Sequence, residues 1–133
     1  VSTRSTLEAY AKAWTDGDLG GLFAAYADDV VFHYHGSSDL AGTHVGDAAL
    51  AAMAQASVRS TRTLLEVVDV LDGPERGALV VRERFERDGR SADLQRILLY
   101  RVVDDQIAEC WLYDEDQALV DEFWAPPSQE PLS

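Results

Sequence analysis

Basic residues are scarce in this chain. Eleven Lys and Arg stand against 24 Asp and Glu in 133 residues, a formal net charge of −13. Nucleic acid and anionic membranes are bound through excess positive charge, so neither is an expected partner. The acidity itself asks for nothing beyond solubility. Cys110 is the single cysteine, which allows no internal disulfide and requires no oxidising compartment. No apolar run approaches the roughly 20 residues of a membrane span. No basic-then-apolar leader precedes the first helical pattern, and a cytoplasmic location is expected. Gly17, Gly20 and Gly21 are not followed by Gly-Lys-Ser/Thr, so they form no phosphate loop.

What is present is patterned for one domain over residues 1–125, with a loose tail over 126–133 after Pro126-Pro127. Leu7, Tyr10, Ala11 and Trp14 fall at helical spacing behind Thr3 or Ser5 as a cap, and Gly17 ends that helix. A second helix is expected over Leu19–Ala27. Val30–His35 is rich in β-branched and aromatic residues and reads as a strand. Residues 36–46 read as a loop, and an Ala-rich third helix follows Asp47 as its cap. Four strands come next: Thr63–Leu71, Ala78–Arg87, Ala92–Val103 and Ile107–Asp114. Asp72-Gly73-Pro74, Asp88-Gly89 and Asp104-Asp105 are the turns. A short last helix is expected over Asp116–Trp124. The order implies an α+β fold in which a strongly curved antiparallel sheet, mixed at its edge, wraps three N-terminal helices around a pocket.

Side chains alternate across a strand, so a charge sharing a face with apolar residues stands out. Glu83 shares its face with Leu79, Val81 and Phe85. Arg96 shares its face with Leu94, Leu98 and Tyr100, and Asp114 shares its face with Cys110 and Leu112. Three separately buried charges would be very costly. Either they face one partly wet cavity, or they sit at strand ends or in an interface. Hairpin counting places Glu83 opposite Leu94 with Arg96 as its diagonal neighbour. That pair can be structural or can orient a carboxylate. Asp114 has no obvious partner and is the candidate acid/base. His33 and His35 form His-x-His, but parity turns them away from Phe32 and Tyr34. Packing or a place at the pocket mouth is expected for them, and no metal site. Trp14, Phe32, Tyr34 and Tyr100 serve equally as pocket lining or as core.

Leu40-Ala41-Gly42 with Gly46, and Ile107-Ala108-Glu109-Cys110-Trp111 with Asp114, carry a family likeness. Over about residues 5–124 the chain resembles the nuclear transport factor two-like superfamily, and within it the SnoaL-like group, which includes polyketide cyclases. The resemblance implies a cone-shaped fold around a deep pocket. The helical tyrosine with which ketosteroid isomerases bind an oxyanion corresponds to Tyr10. Their two aspartates fall at Tyr34 and Leu98, so isomerisation by that mechanism is not expected. In limonene-type epoxide hydrolases an Asp-Arg-Asp set acts with a Tyr and an Asn. Arg84 and Glu86 resemble part of that set, and Phe32 and Tyr34 stand at the Tyr and Asn positions. SnoaL-like cyclases use an acidic residue without a cofactor, and Asp114 matches it.

Two main readings follow, with an epoxide hydrolase of the limonene type as a third. One is a cofactor-free acid/base enzyme, of cyclase or isomerase type, on a small apolar polyketide- or terpenoid-like molecule. In it Asp114, Glu83 and Tyr34 act, while Tyr10, Trp14, Phe32, Arg96 and Leu98 contact the ligand. The other is a non-enzymatic ligand-binding or dimerisation module. A homodimer is expected through the apolar face carrying Ile97, Leu99, Trp111 and Tyr113.

Overall fold

The structure is a computed structural model and describes residues 3–126. The tail expected over 126–133 therefore lies, from residue 127 onward, outside the described residues. Four helices and six strands follow in the order α1 (Thr3–Asp16), α2 (Leu19–Ala24), β1 (Tyr26–Tyr34), β2 (Gly42–Val45), α3 (Asp47–Arg59), β3 (Thr61–Asp72), β4 (Arg76–Arg87), β5 (Arg90–Val103), β6 (Gln106–Asp114) and α4 (Gln117–Phe123). The strands form one open mixed sheet in the order β2-β1-β6-β5-β4-β3. β1 runs parallel to β6, and every other pair is antiparallel.

Local chemistry explains the boundaries. Gly17 takes φ 70° and ends α1. The Asp18 carboxylate accepts from the Gly21 amide at 3.0 Å and starts α2. Asp116 does the same for α4 through the Leu119 amide, at 3.0 Å. Asp88-Gly89 and Asp104-Asp105 each hold two successive residues at positive φ, the twist a two-residue hairpin needs. Sheet register places Glu83 opposite Leu94 and Arg96 opposite Asp114.

Three sequence expectations are corrected. The helix expected over Leu19–Ala27 stops at Ala24, and Tyr26 already begins β1. Ala27-Asp28-Asp29 carries no strand signal, but the Ile107 amide donates to the Ala25 carbonyl at 2.7 Å and draws the segment onto the sheet. Part of the expected loop over 36–46 is the edge strand β2, whose Gly42–Val45 pairs with Val31–Tyr34. The cap of α3 is Gly46 rather than Asp47, and it makes no side-chain cap bond. Asp47 lies in the first turn, where its charge complements the helix dipole.

The concave face of the sheet holds the core. Val30, Phe32, Leu79, Val81, Phe85, Leu98 and Tyr100 are buried there against Leu7 and Tyr10 of α1, Ala49, Ala52 and Ala56 of α3, and Phe123 and Trp124 beyond β6. Gly77 in β4 lies directly under α1. A Cβ there would meet Leu7 Cδ1 at 2.5 Å, the Leu71 carbonyl oxygen at 2.8 Å and Thr3 Cγ2 at 3.0 Å. Gly77→Ala should therefore push α1 off the sheet and cost about 1–3 kcal/mol. Denaturant melts of the two proteins measure this, and an unchanged midpoint would refute the close approach.

Candidate functional site: a cavity on the concave face

Alternation in β1, β4, β5 and β6 turns their odd polar residues to the helix side of the sheet. A cavity of about 640 Å³ lies there. Its wall includes Tyr10 and Trp14 of α1, Leu22 and Phe23 of α2, and Tyr26, Phe32 and Tyr34 of β1. Leu50, Met53 and Ser57 of α3 join it, as do Arg62 of β3, Glu83 of β4, and Arg96, Leu98 and Tyr100 of β5. Size and lining suit a small, mainly apolar guest met by a few polar groups.

One wall rests on a buried charge set. Arg96 Nη1 donates to Glu83 Oε1 at 2.7 Å, and its Nε and Nη2 donate to Asp114 Oδ1 and Oδ2 at 2.5 and 3.4 Å. The Arg96 side chain is 1% exposed, and those of Glu83 and Asp114 are each 2% exposed. Phe85 and Trp124 offer ring faces to the guanidinium at 5.1 and 5.5 Å. Burial works to lower the Arg96 pKa, but Asp114 and Glu83 outweigh it and raise it. The expectation that Asp114 lacks a partner is thus corrected: Arg96 chelates it. Asp114 is also not among the residues lining the cavity, whereas Glu83 and Arg96 are.

A second polar group is made of phenols. The Tyr10 and Tyr26 hydroxyls are hydrogen-bonded to one another, and the Tyr100 ring meets Tyr10 edge-on at 5.6 Å. Burial raises the pKa of all three well above the ordinary phenol value. Burial also pushes Tyr34 up to about 12, against a smaller lowering by Arg62, and Cys110 up to about 12. Neutral phenols of this kind can donate hydrogen bonds and do not serve as bases.

The remaining candidates lie elsewhere. His33 Nε2 donates to Glu109 on the convex face at 2.5 Å and stacks on Trp111 at 5.2 Å. His35 donates to the Leu112 carbonyl and stacks on Tyr113, while His44 donates to the Leu40 carbonyl. Arg84 pairs with Asp93 and does not line the cavity; neither does Glu86. The carboxylate–guanidinium–carboxylate arrangement is built instead from Glu83, Arg96 and Asp114. Sequence reasoning passed over Arg62 and Trp124. Parity in β3 carries the missing signal for Arg62, since Arg62 and Leu64 share a face opposite Phe85 and Glu83.

Known proteins share this architecture. An α+β sheet curved about such a cavity defines a class of pocket-bearing folds, and the sequence model of the SnoaL-like domain matches residues 7–110. The chain therefore belongs to the SnoaL-like family. No curated protein sequence matches it. A protein of unknown function with a cystatin-like fold from Xanthomonas campestris is 25% identical, with a TM-score of 0.86 over 95% of this chain and 100% of its own. An NTF2-like protein from Burkholderia xenovorans LB400 is also 25% identical, with a TM-score of 0.70 over 89% and 92%. TerC, co-crystallised with polyporic acid, shares the fold at 16% identity, with a TM-score of 0.76 over 90% and 95%. No helix among the described residues is long and apolar enough to cross a membrane.

The phenols set a pH limit on the fold. Tyr34 ionises near its ordinary 10.0 when unfolded and near 12 when folded. Folding therefore retains a proton that the unfolded chain releases, and this contribution is full below 10 and is lost as pH rises toward 12. Urea midpoints should fall across that window, and Tyr34→Phe should flatten the fall. A midpoint independent of pH there would contradict the burial of this hydroxyl.

Proposed function

We propose that the protein binds a small, largely apolar molecule of polyketide or terpenoid type in this cavity and moves a proton on it without a cofactor. The observation that carries the reading is a carboxylate, Glu83, in the wall of a cavity lined mainly by apolar and phenolic side chains. Glu83 is the group that exchanges the proton. Arg96 holds it through Oε1, and Asp114 fixes Arg96 in turn. Tyr34 and Tyr10 donate to the oxygen on which charge develops. Trp14, Phe32 and Leu98 supply apolar contact. A protein of the same fold was co-crystallised with polyporic acid, in keeping with a guest-holding cavity.

A thermal-shift screen of such molecules should identify a ligand, whose turnover is then assayed. Glu83→Gln then lowers turnover by about 10²–10⁴ with little change in ligand-induced stabilisation. Folding survives this change, because Arg96 keeps one carboxylate for its one charge. Asp114→Asn costs less, since Asp114 acts through Arg96. Wild-type turnover in Glu83→Gln would refute the assignment. One observation favours the plainer reading of a binding module: the same carboxylate is already held in a buried ion pair. Tight binding with no turnover of any bound compound would establish that alternative.

The convex face supports self-association into a homodimer. Ile97 and Tyr113 are 42% and 45% exposed there, beside half-buried Leu99 and Trp111. Light scattering should give twice the chain mass, and Tyr113→Glu should return the monomer. A monomeric wild type at all concentrations would end this proposal.

A further inference from the structure

The most telling cation of the cavity is Arg62. Acidic residues outnumber basic ones by 24 to 11, so carboxylates are abundant near any guanidinium. Among the described residues, every basic side chain except Arg62 and Arg76 lies within ion-pair distance of one. Arg76 covers the Trp111 ring on the convex face, 4.8 Å from its centre. Arg62 lines the cavity.

Its setting fits an acceptor that comes from outside the protein. A guanidinium carries five N–H donors. One of its nitrogens, Nη2, donates to Ser57 Oγ at 2.9 Å, and no other acceptor is seen for it among the described residues. The Trp124 ring lies 5.7 Å from the guanidinium carbon and limits its motion. Ser57, Ser60 and Thr61 line the cavity beside it, the Ser57 hydroxyl donating to the Met53 carbonyl at 3.1 Å and the Ser60 hydroxyl to the Thr61 and Glu86 carbonyls at 3.4 Å. Its charge also reaches inward: it lowers the pKa of Tyr34 and Tyr10 against the larger effect of burial. Arg96 is in the opposite state, since two carboxylates already neutralise it and no free charge is left for a guest.

We propose that the guest of this cavity is an organic acid, an aromatic or polycyclic body whose carboxylate is received by Arg62. The inference rests on the pocket reading above and adds the charge of the ligand to it. The carboxylate takes two parallel N–H bonds from the guanidinium, the geometry that makes Arg selective for such groups. The apolar body then lies along Phe32, Leu50 and Met53. With a net charge of −13 the protein repels free anions at long range. Selection for an acid therefore depends on this one side chain at short range, where salt screens it least.

Two probes of the same shape test this: 2-naphthoate, which is anionic at neutral pH, and neutral 2-naphthamide. Titration calorimetry on the intact protein should show the acid binding about tenfold more tightly. Arg62→Gln should bring the acid down to the affinity of the amide and leave the amide unchanged. Arg62→Lys should restore part of the difference. Arg62 is only half-buried, so the variants should fold, and circular dichroism checks this. Equal affinity of wild type for both probes would overturn the inference while leaving the pocket reading intact. An equal loss for both probes in Arg62→Gln would do the same, because the side chain would then act through shape. Binding of neither probe would overturn the inference together with the pocket reading.

Discussion

A guanidinium with 1% of its surface exposed can sit inside this domain only because so much surrounds it. Arg96 has carboxylates on both neighbouring strands and aromatic rings within cation–π distance. Burying an ion costs several kcal/mol even after relaxation, and Coulomb attraction repays this only when geometry and hydrogen bonding are near complete. That condition reaches far through the fold. β4, β5 and β6 must keep the register that aligns Glu83, Arg96 and Asp114. α4 must deliver Trp124 to the same place, and Arg87 helps by donating to the Phe123 and Ala125 carbonyls at 2.9 and 2.7 Å. A one-residue slip of β5 would turn Arg96 to the convex face and put Ile97 or Gln95 against the carboxylates. The charge set thus works against mispairing as well as shaping the cavity wall.

The sequence was legible wherever period and turn chemistry spoke for themselves. The four long strands, the Asp-Gly hairpin and the parity of Glu83, Arg96 and Asp114 come from alternation, and the register of Glu83 against Leu94 follows from a two-residue turn. Legibility failed where tertiary contact overrode local signal. The start of β1 and the edge strand β2 each exist because a neighbouring strand offers hydrogen bonds, and no local pattern announces that. Asp114 was misread for a related reason. Its partner stands across β5–β6, where pairing is irregular between Arg101 and Val102, so counting back from the Asp104-Asp105 turn does not reach it. Trp124 was hidden because it follows a short helix whose docking no sequence period reveals.

The polar groups of the cavity wall are chemically unlike. Its phenols are held neutral by burial. Arg62 carries charge in the same wall, beside Ser57, Ser60 and Thr61. Apart from Glu83 and Arg96, the rest of the wall is mainly aromatic and aliphatic, with Met53 as an adaptable filler. A guest of the proposed kind would be oriented by its own polarity. Exchanging a handful of wall residues would change the chemistry of such a cavity while the sheet beneath stayed as it is.

The parallel pairing of β1 with β6 has a consequence for how the molecule comes into being. Phe32 lies beside Cys110, and Val31 beside Glu109, partners 78 residues apart in a chain of 133. On the ribosome β1 must wait, half paired, until nearly everything after it has been made. Local hairpins from β3 to β6 can close early, but the wall that joins the first helices to the last strand closes late and with a large loop entropy. This topology therefore predicts that the cavity is among the last features to form. During that interval the Tyr26–Tyr34 segment, aromatic and extended, is the part of the nascent chain most in need of protection from pairing with a stranger.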